Sequence, residues 1–139
     1  MIVVDTNIIA YRWLPGPRNA EADALVRHDS VWAAPLLWRS EFRNVLAGYI
    51  RSGRLSAIDA ERAMHHAAAS LLGGEHAVAD DAVLDLVVRS ACSAYDCEFA
   101  ALAEALDSIL VTEDKALLKA FPKLCCSLTH AIQYRLKKT

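Results

Sequence analysis

The chain has 139 residues, 55% of them hydrophobic and 23% charged, which is long enough to bury a core and too apolar for intrinsic disorder. A net charge of -2 excludes a global pull toward nucleic acid, so any polyanion must be met by a local patch. No apolar run reaches the roughly 20 residues that span a bilayer, and the opening Met1-Ile2-Val3-Val4-Asp5 lacks a basic segment ahead of a long apolar one, so a cytoplasmic protein is expected.

In chain order, residues 2–4 read as a buried strand that delivers Asp5 at its C-terminal end. A helix is expected over 19–28 and a short second strand over 31–33. Pro35 fits the first turn of a long helix over 36–52 that stops at Gly53. Ser56-x-x-Asp59 resembles a capping box opening a helix through Leu72, and Gly73-Gly74 ends it. Asp80 and Asp81 favour a helix start, with that helix running to about Ala91, and another spans 95–106. A strand over 109–111, a helix over 115–121 stopped by Pro122, a strand over 125–128 and a helix over 131–137 complete the pattern. Short apolar strands alternating with helices predict an α/β fold of one domain over 1–139, with a parallel sheet covered on both faces. In such sheets, ligands bind beyond the carboxyl ends of the strands. Cys92, Cys97, Cys125 and Cys126 form no C-x-x-C pair and read as buried, reduced thiols.

Four acidic residues then stand out. Asp5 closes the first strand and Asp114 follows the 109–111 strand, so both belong to the sheet edge where sites form. Glu41 lies on the long helix with Asn44 three residues on, hence on the same face. Asp96 opens the 95–106 helix. Each has a plain structural explanation. Asp5 can cap the following helix, Asp96 can complete a Ser93-x-x-Asp96 box, Asp114 can stabilise a first turn, and Glu41 can be a solvated surface charge. Together they are harder to dismiss: unit charges about 4 Å apart repel by about 4 kcal/mol at an effective dielectric near 20. A hard divalent cation, magnesium or manganese, would resolve that conflict through all-oxygen ligation. Such a site suits phosphodiester hydrolysis by an activated water. No G-x-S-x-G nucleophile motif and no P-loop is present.

At these residues the chain resembles the PIN-domain ribonucleases, specifically the VapC-type toxins of toxin–antitoxin pairs. The matching strings are Val3-Val4-Asp5-Thr6-Asn7, Glu41-Phe42-Arg43-Asn44, Tyr95 through Ala103, and Leu110-Val111-Thr112-Glu113-Asp114. They occur in family order and span most of the chain; singly each is a common pattern, together they are specific. The resemblance implies a parallel α/β/α sandwich with a short central sheet. It implies that Asp5, Glu41, Asp96 and Asp114 are the acidic ligands for magnesium or manganese. Asn7 and Thr112 would hold Asp5 and Asp114, and Asn44 would support the site or touch substrate. It further implies an RNA substrate, a cognate antitoxin and a homodimer. One departure is Ala105-Leu106-Asp107-Ser108, where family members often carry a glycine before the fourth strand. Asp107 enters the left-handed region more readily than most residues, so the turn geometry rather than the chemistry is at issue.

Arg39, Arg43, Arg51 and Arg54 lie on or beyond the Glu41 helix, and Lys115, Lys119 and Lys123 follow Asp114. They serve either as phosphate contacts, with Arg43 and Lys115 the candidates and Lys115 favoured because it immediately follows a proposed ligand, or as a solvated face. Tyr11, Trp13, Trp32, Trp38 and Tyr49 are candidates for base stacking or, more simply, for core packing, and His65-His66 has no ligand partner at metal spacing. A mean hydropathy of +0.21 hints at apolar surface covered in a dimer or by an antitoxin. Two competing functions remain: a phosphatase or phosphotransferase using Asp5 as nucleophile, and a catalytically silent RNA-binding module. Against the first, Asp5-Thr6-Asn7 stands where a haloacid-dehalogenase-like pattern needs D-x-D.

Overall fold

The computed structural model describes residues 1–138. In chain order the elements are β1 (Ile2–Val4), α1 (Thr6–Trp13), α2 (Asn19–His28), β2 (Trp32–Pro35), α3 (Trp38–Arg51), α4 (Ala57–Ser70), β3 (Glu75–His76), α5 (Asp80–Val88), α6 (Ala94–Ala105), β4 (Leu110–Val111), α7 (Lys115–Ala120), β5 (Cys125–Cys126) and α8 (Leu128–Lys138). The sheet has the order β3-β2-β1-β4-β5, and every neighbouring pair is parallel. Helices cover both faces, giving an α/β/α sandwich. The α6 helix packs on β1, β2 and β4 with α5 against it, whereas α1 packs with α2, α3 and α4, and α2 with α8.

This order positions the site. From β1 the chain moves to β2 on one side, and from β4 it moves to β5 on the other. The connections therefore diverge above β1 and β4, opening the crevice where doubly wound sheets take ligands. Residues Ile2, Val3, Val4, Leu110 and Val111 are fully buried, as a two-faced sheet centre demands. On α3 the buried side chains Trp38, Phe42 and Leu46 recur at four-residue spacing, which fixes the helix's rotation and sets Glu41 at the border of the core. The four cysteines are buried and form no disulfide.

The structure departs from the sequence-based expectation at several places. Pro35 ends β2 instead of opening α3, which starts at Trp38. The amides that bond β2 to its β3 side are those of Ala34, donating to Gly74, and Leu36, donating to His76, so Pro35 needs no N–H there. The α1 helix begins immediately after Asp5, and β3 is a two-residue edge strand of polar residues with no apolar pattern to announce it. Gly74 admits that strand: a Cβ at this position would overlap the carbonyl oxygen of Trp32. The helix ends at 72, 91 and 121 draw in to Ser70, Val88 and Ala120, and the last helix begins at Leu128. Asp107 does adopt the left-handed conformation, with φ 49°.

Candidate active site

Each proposed carboxylate is set by local structure that its own segment dictates. Asp5 is the N-cap of α1, and its Oδ1 accepts the backbone N–H of Thr6 at 2.8 Å. Its Oδ2 accepts the Thr112 hydroxyl at 2.6 Å, and Thr112 in turn accepts the backbone N–H of Asp114 at 3.0 Å. One buried threonine thus ties the ends of β1 and β4 together. Asp114 is the N-cap of α7, accepting from the backbone N–H of Leu117 at 3.0 Å. Asp96 lies in the first turn of α6, and its backbone N–H donates to the cap Ser93 at 3.1 Å. Glu41 comes from the first turn of α3, where its Oε1 accepts the Thr6 hydroxyl at 2.7 Å. The capping roles weighed for Asp5 and Asp114 are therefore filled, while at Asp96 it is Ser93 that caps the helix and the Asp96 backbone N–H that donates to it.

The electrostatics exceed what capping needs. Burial pushes the Asp5 carboxyl up against the lowering pull of Thr112 and Thr6, and the charges of Asp96 and Asp114 push it further. Burial also raises Glu41, to which the charges of Asp5, Asp96 and Glu98 add, and Thr6 opposes. Asp96 is raised by burial and by Asp114. Asp5, Glu41 and Asp96 thus lie within electrostatic reach of acidic neighbours, whose charges make them harder to ionise. Among the described residues, however, no three His, Cys, Asp or Glu side chains form a metal-binding group as they stand.

The neighbouring candidates divide. Thr112 is fully buried and contacts both Asp5 and the Asp114 backbone. Asn7 is not brought to Asp5: its side chain is exposed and faces a cavity shared with Tyr11, Val45 and Tyr49. The reason is its place on α1, where Asn7 points outward while Thr6, the residue before it, points in and donates its hydroxyl to Glu41, its backbone N–H going to Asp5. Asn44 is exposed and is not bonded to Glu41 among the described residues; Thr6 fills that place too. Thr6 and Glu98 were overlooked by sequence reasoning, although a hydroxyl directly after a strand-end aspartate was a readable sign.

Among the basic residues, Arg43 and Lys115 are exposed, whereas Arg39 is bound to Glu75, with one bond of 3.0 Å. Glu113 turns from its neighbour Asp114 to accept the Leu128 amide at 2.9 Å and pair with Arg18 at 3.2 Å, a fold-holding role. Trp32 and Trp38 are core residues, Tyr11 and Tyr49 carry Arg18 and Arg54 on their rings, and His66 packs on Trp13 at 5.7 Å.

Comparisons with known proteins agree with the fold. The protein PAE2754 from Pyrobaculum aerophilum superposes with a TM-score of 0.77 at 23% identity, over 98% of this chain and 96% of that one. FitAcB from Neisseria gonorrhoeae matches with a TM-score of 0.71 at 17% identity, over 94% of this chain and 99% of that one. FitAB bound to an IR36 DNA fragment matches with a TM-score of 0.71 at 18% identity, over 94% and 96%. No curated protein matches by sequence. The PIN domain family model matches residues 2–123, and with the parallel sheet and the carboxylates at its switch point, the chain belongs to the PIN-domain family.

Proposed function

We propose that the chain is a magnesium- or manganese-dependent endoribonuclease acting as the toxin of a toxin–antitoxin pair. The observation that carries this reading is the set of carboxylates Asp5, Glu41, Asp96 and Asp114 at the crevice above β1 and β4, where the charges of Asp96 and Asp114 oppose that of Asp5 and those of Asp5 and Asp96 oppose that of Glu41. Their donor chemistry, oxygen only and anionic, fits a hard divalent ion. When bound, such an ion supplies positive charge that acidifies a water and neutralises the leaving oxygen. Asp5 is the fixed ligand, because Thr6 and Thr112 lock both of its oxygens. The same double locking suits a ligand better than an attacking nucleophile, which disfavours a phospho-aspartate mechanism. Glu41, half-buried with its pKa raised and its Oε1 held by Thr6, is suited to accept the proton of the attacking water. Asp96, in the first turn of α6, and Asp114, the N-cap of α7, would hold the ion with Asp5. Arg43 and Lys115 contact the RNA phosphates.

A toxin of this kind has a cognate antitoxin. FitAB, a neighbour in fold, was solved on DNA, and a chain with a net charge of -2 has no global attraction for that polyanion. That combination supports a DNA-contacting antitoxin partner. Exposed apolar residues such as Leu72 (86%) and Val88 (85%) support a second copy of the chain as a further partner. The test is cleavage of total RNA by the purified protein with Mg2+, with EDTA, and with the Asp5→Asn variant. Cleavage is expected only in the first; cutting in EDTA or full activity in the variant overturns the reading. A silent RNA-binding module would instead bind RNA and leave it intact under every divalent ion.

A further inference from the structure

A second cavity, of about 580 Å³, opens beside the carboxylates. Its apolar wall includes Leu36, Val83, Leu84 and the ring of Tyr95, and its polar groups are His76, Asp80 and Glu98. The fold places it on the same sheet edge: Leu36 follows the end of β2, His76 ends β3, and Tyr95 and Glu98 flank Asp96 on α6. Glu98 belongs to both features, since it lines the cavity and its charge is felt at Glu41. The Tyr95 side chain is 64% exposed and Leu36 53%, an unfavourable display unless something covers them. Among the described residues, His76, Asp80 and Glu98 have no side-chain hydrogen-bond or ion-pair partner, although they border apolar surface.

We infer that this cavity is a nucleobase subsite in which Tyr95 stacks an unpaired base and Glu98 reads adjacent N–H donors, as guanine presents on N1 and N2. The inference rests on the ribonuclease reading and names how such an enzyme would choose its cut site. A mostly apolar pocket with a few convergent polar groups is how small planar ligands are held, and single-stranded RNA offers its bases for stacking and edge reading. Two carboxylates in the wall repel a phosphate, so the base and not the backbone enters. A purely apolar protein segment would bury His76, Asp80 and Glu98 without partners, which is costly. His76 adds an N–H suited to a base carbonyl. The phosphodiester next to the captured base is thereby presented to Asp5 and Glu41.

The experiment has two arms. In the first, the ends produced from a randomised RNA pool in Mg2+ are sequenced for the wild type, Tyr95→Ala, Tyr95→Phe and Glu98→Gln. Guanine should be enriched at one fixed offset from the cut; Glu98→Gln should erase that enrichment, Tyr95→Ala should lower overall cleavage, and Tyr95→Phe should restore it. In the second, binding of a uridine oligomer carrying one guanosine is compared with its inosine and adenosine counterparts in EDTA, by anisotropy. The guanosine oligomer should bind roughly tenfold tighter than the inosine one, the scale of one good base contact, and Glu98→Gln should remove the difference. Equal binding of all three oligomers, or insensitivity of both arms to Tyr95 and Glu98, overturns the subsite. If the pool is left uncut under every divalent ion while the guanosine preference persists, the nuclease reading fails and the subsite stands.

Discussion

Thr112→Val removes one hydroxyl and nothing else of size, at a position that is 0% exposed. Two hydrogen bonds go with it: the 2.6 Å donation to the Asp5 carboxylate and the 3.0 Å acceptance from the Asp114 backbone N–H. A bond to a charged group contributes about 1.5–3 kcal/mol and a neutral one about 0.5–1.5 kcal/mol, so the substitution should destabilise the chain by about 2–4 kcal/mol. Urea unfolding of the metal-free protein at neutral pH measures this directly. Thr112→Ser keeps the hydroxyl and loses a methyl, which costs roughly 0.5–1.5 kcal/mol by analogy with trimming a buried Ile to Val. Because the Thr112 bond lowers the Asp5 pKa, its loss should also drive that carboxyl further up and shift the rising limb of the cleavage profile to higher pH. A valine variant as stable as the wild type, or a serine variant as damaged as the valine one, would refute the hydroxyl's role as the tie between β1 and β4.

Other outcomes follow from the same contacts. Asp5, Glu41 and Asp96 have raised folded-state pKa values, so their contribution to stability is present at low pH and lost as pH rises through those values. The melting temperature of the metal-free protein should therefore fall with pH above the ordinary carboxylate range, and Mg2+ should raise it more at neutral than at acidic pH, both effects shrinking in Asp5→Asn; a flat profile in calorimetry would count against the cluster. Gly74→Ala drives a Cβ into the Trp32 carbonyl and should destabilise by roughly 1–3 kcal/mol, read by urea unfolding, with unchanged stability contradicting the close approach. Asp107→Gly relieves a φ of 49° and should stabilise by roughly 0.5–1 kcal/mol in the same assay, a loss of stability being the contrary result.

What the sequence made legible tracks how local the cause was. The α2 helix matches its expected limits because its apolar spacing and flanking residues act within one segment. The Ser56 and Ser93 caps were readable for the same reason, and both hydroxyls accept as expected. Pro35 misled because its usual place in a helix's first turn is a local preference, and the decision was made by a ladder with residues about 40 positions later. The β3 strand was invisible because an edge strand of Glu75 and His76 has no inward face to encode in apolar residues. Asn7 was assigned a task that Thr6 performs, since the phase of α1 is set by burying Thr6, Ile8 and Ile9, and that phase turns Asn7 outward.

The same reasoning explains why the carboxylates were recognisable as residues but not as a site. Capping and ligation ask for the same residue type at the same place, a strand end meeting a helix start, where Asp5 and Asp114 stand, and Asp96 lies one turn into a helix capped by Ser93, so the residue types alone do not separate the two descriptions. Capping alone places no demand on what stands across the sheet edge. The difference appears only in the long-range terms: Thr112 reaching Asp5 across 107 residues, Thr6 reaching Glu41 across 35, and the charges of Asp96 and Asp114 opposing that of Asp5. A fold selected for stability alone would have separated those charges or paired them with nearby cations, as it did for Glu113 with Arg18 and Glu75 with Arg39. That the chain pairs its structural acids and leaves these opposed is the physical ground for reading them as a place kept for a cation.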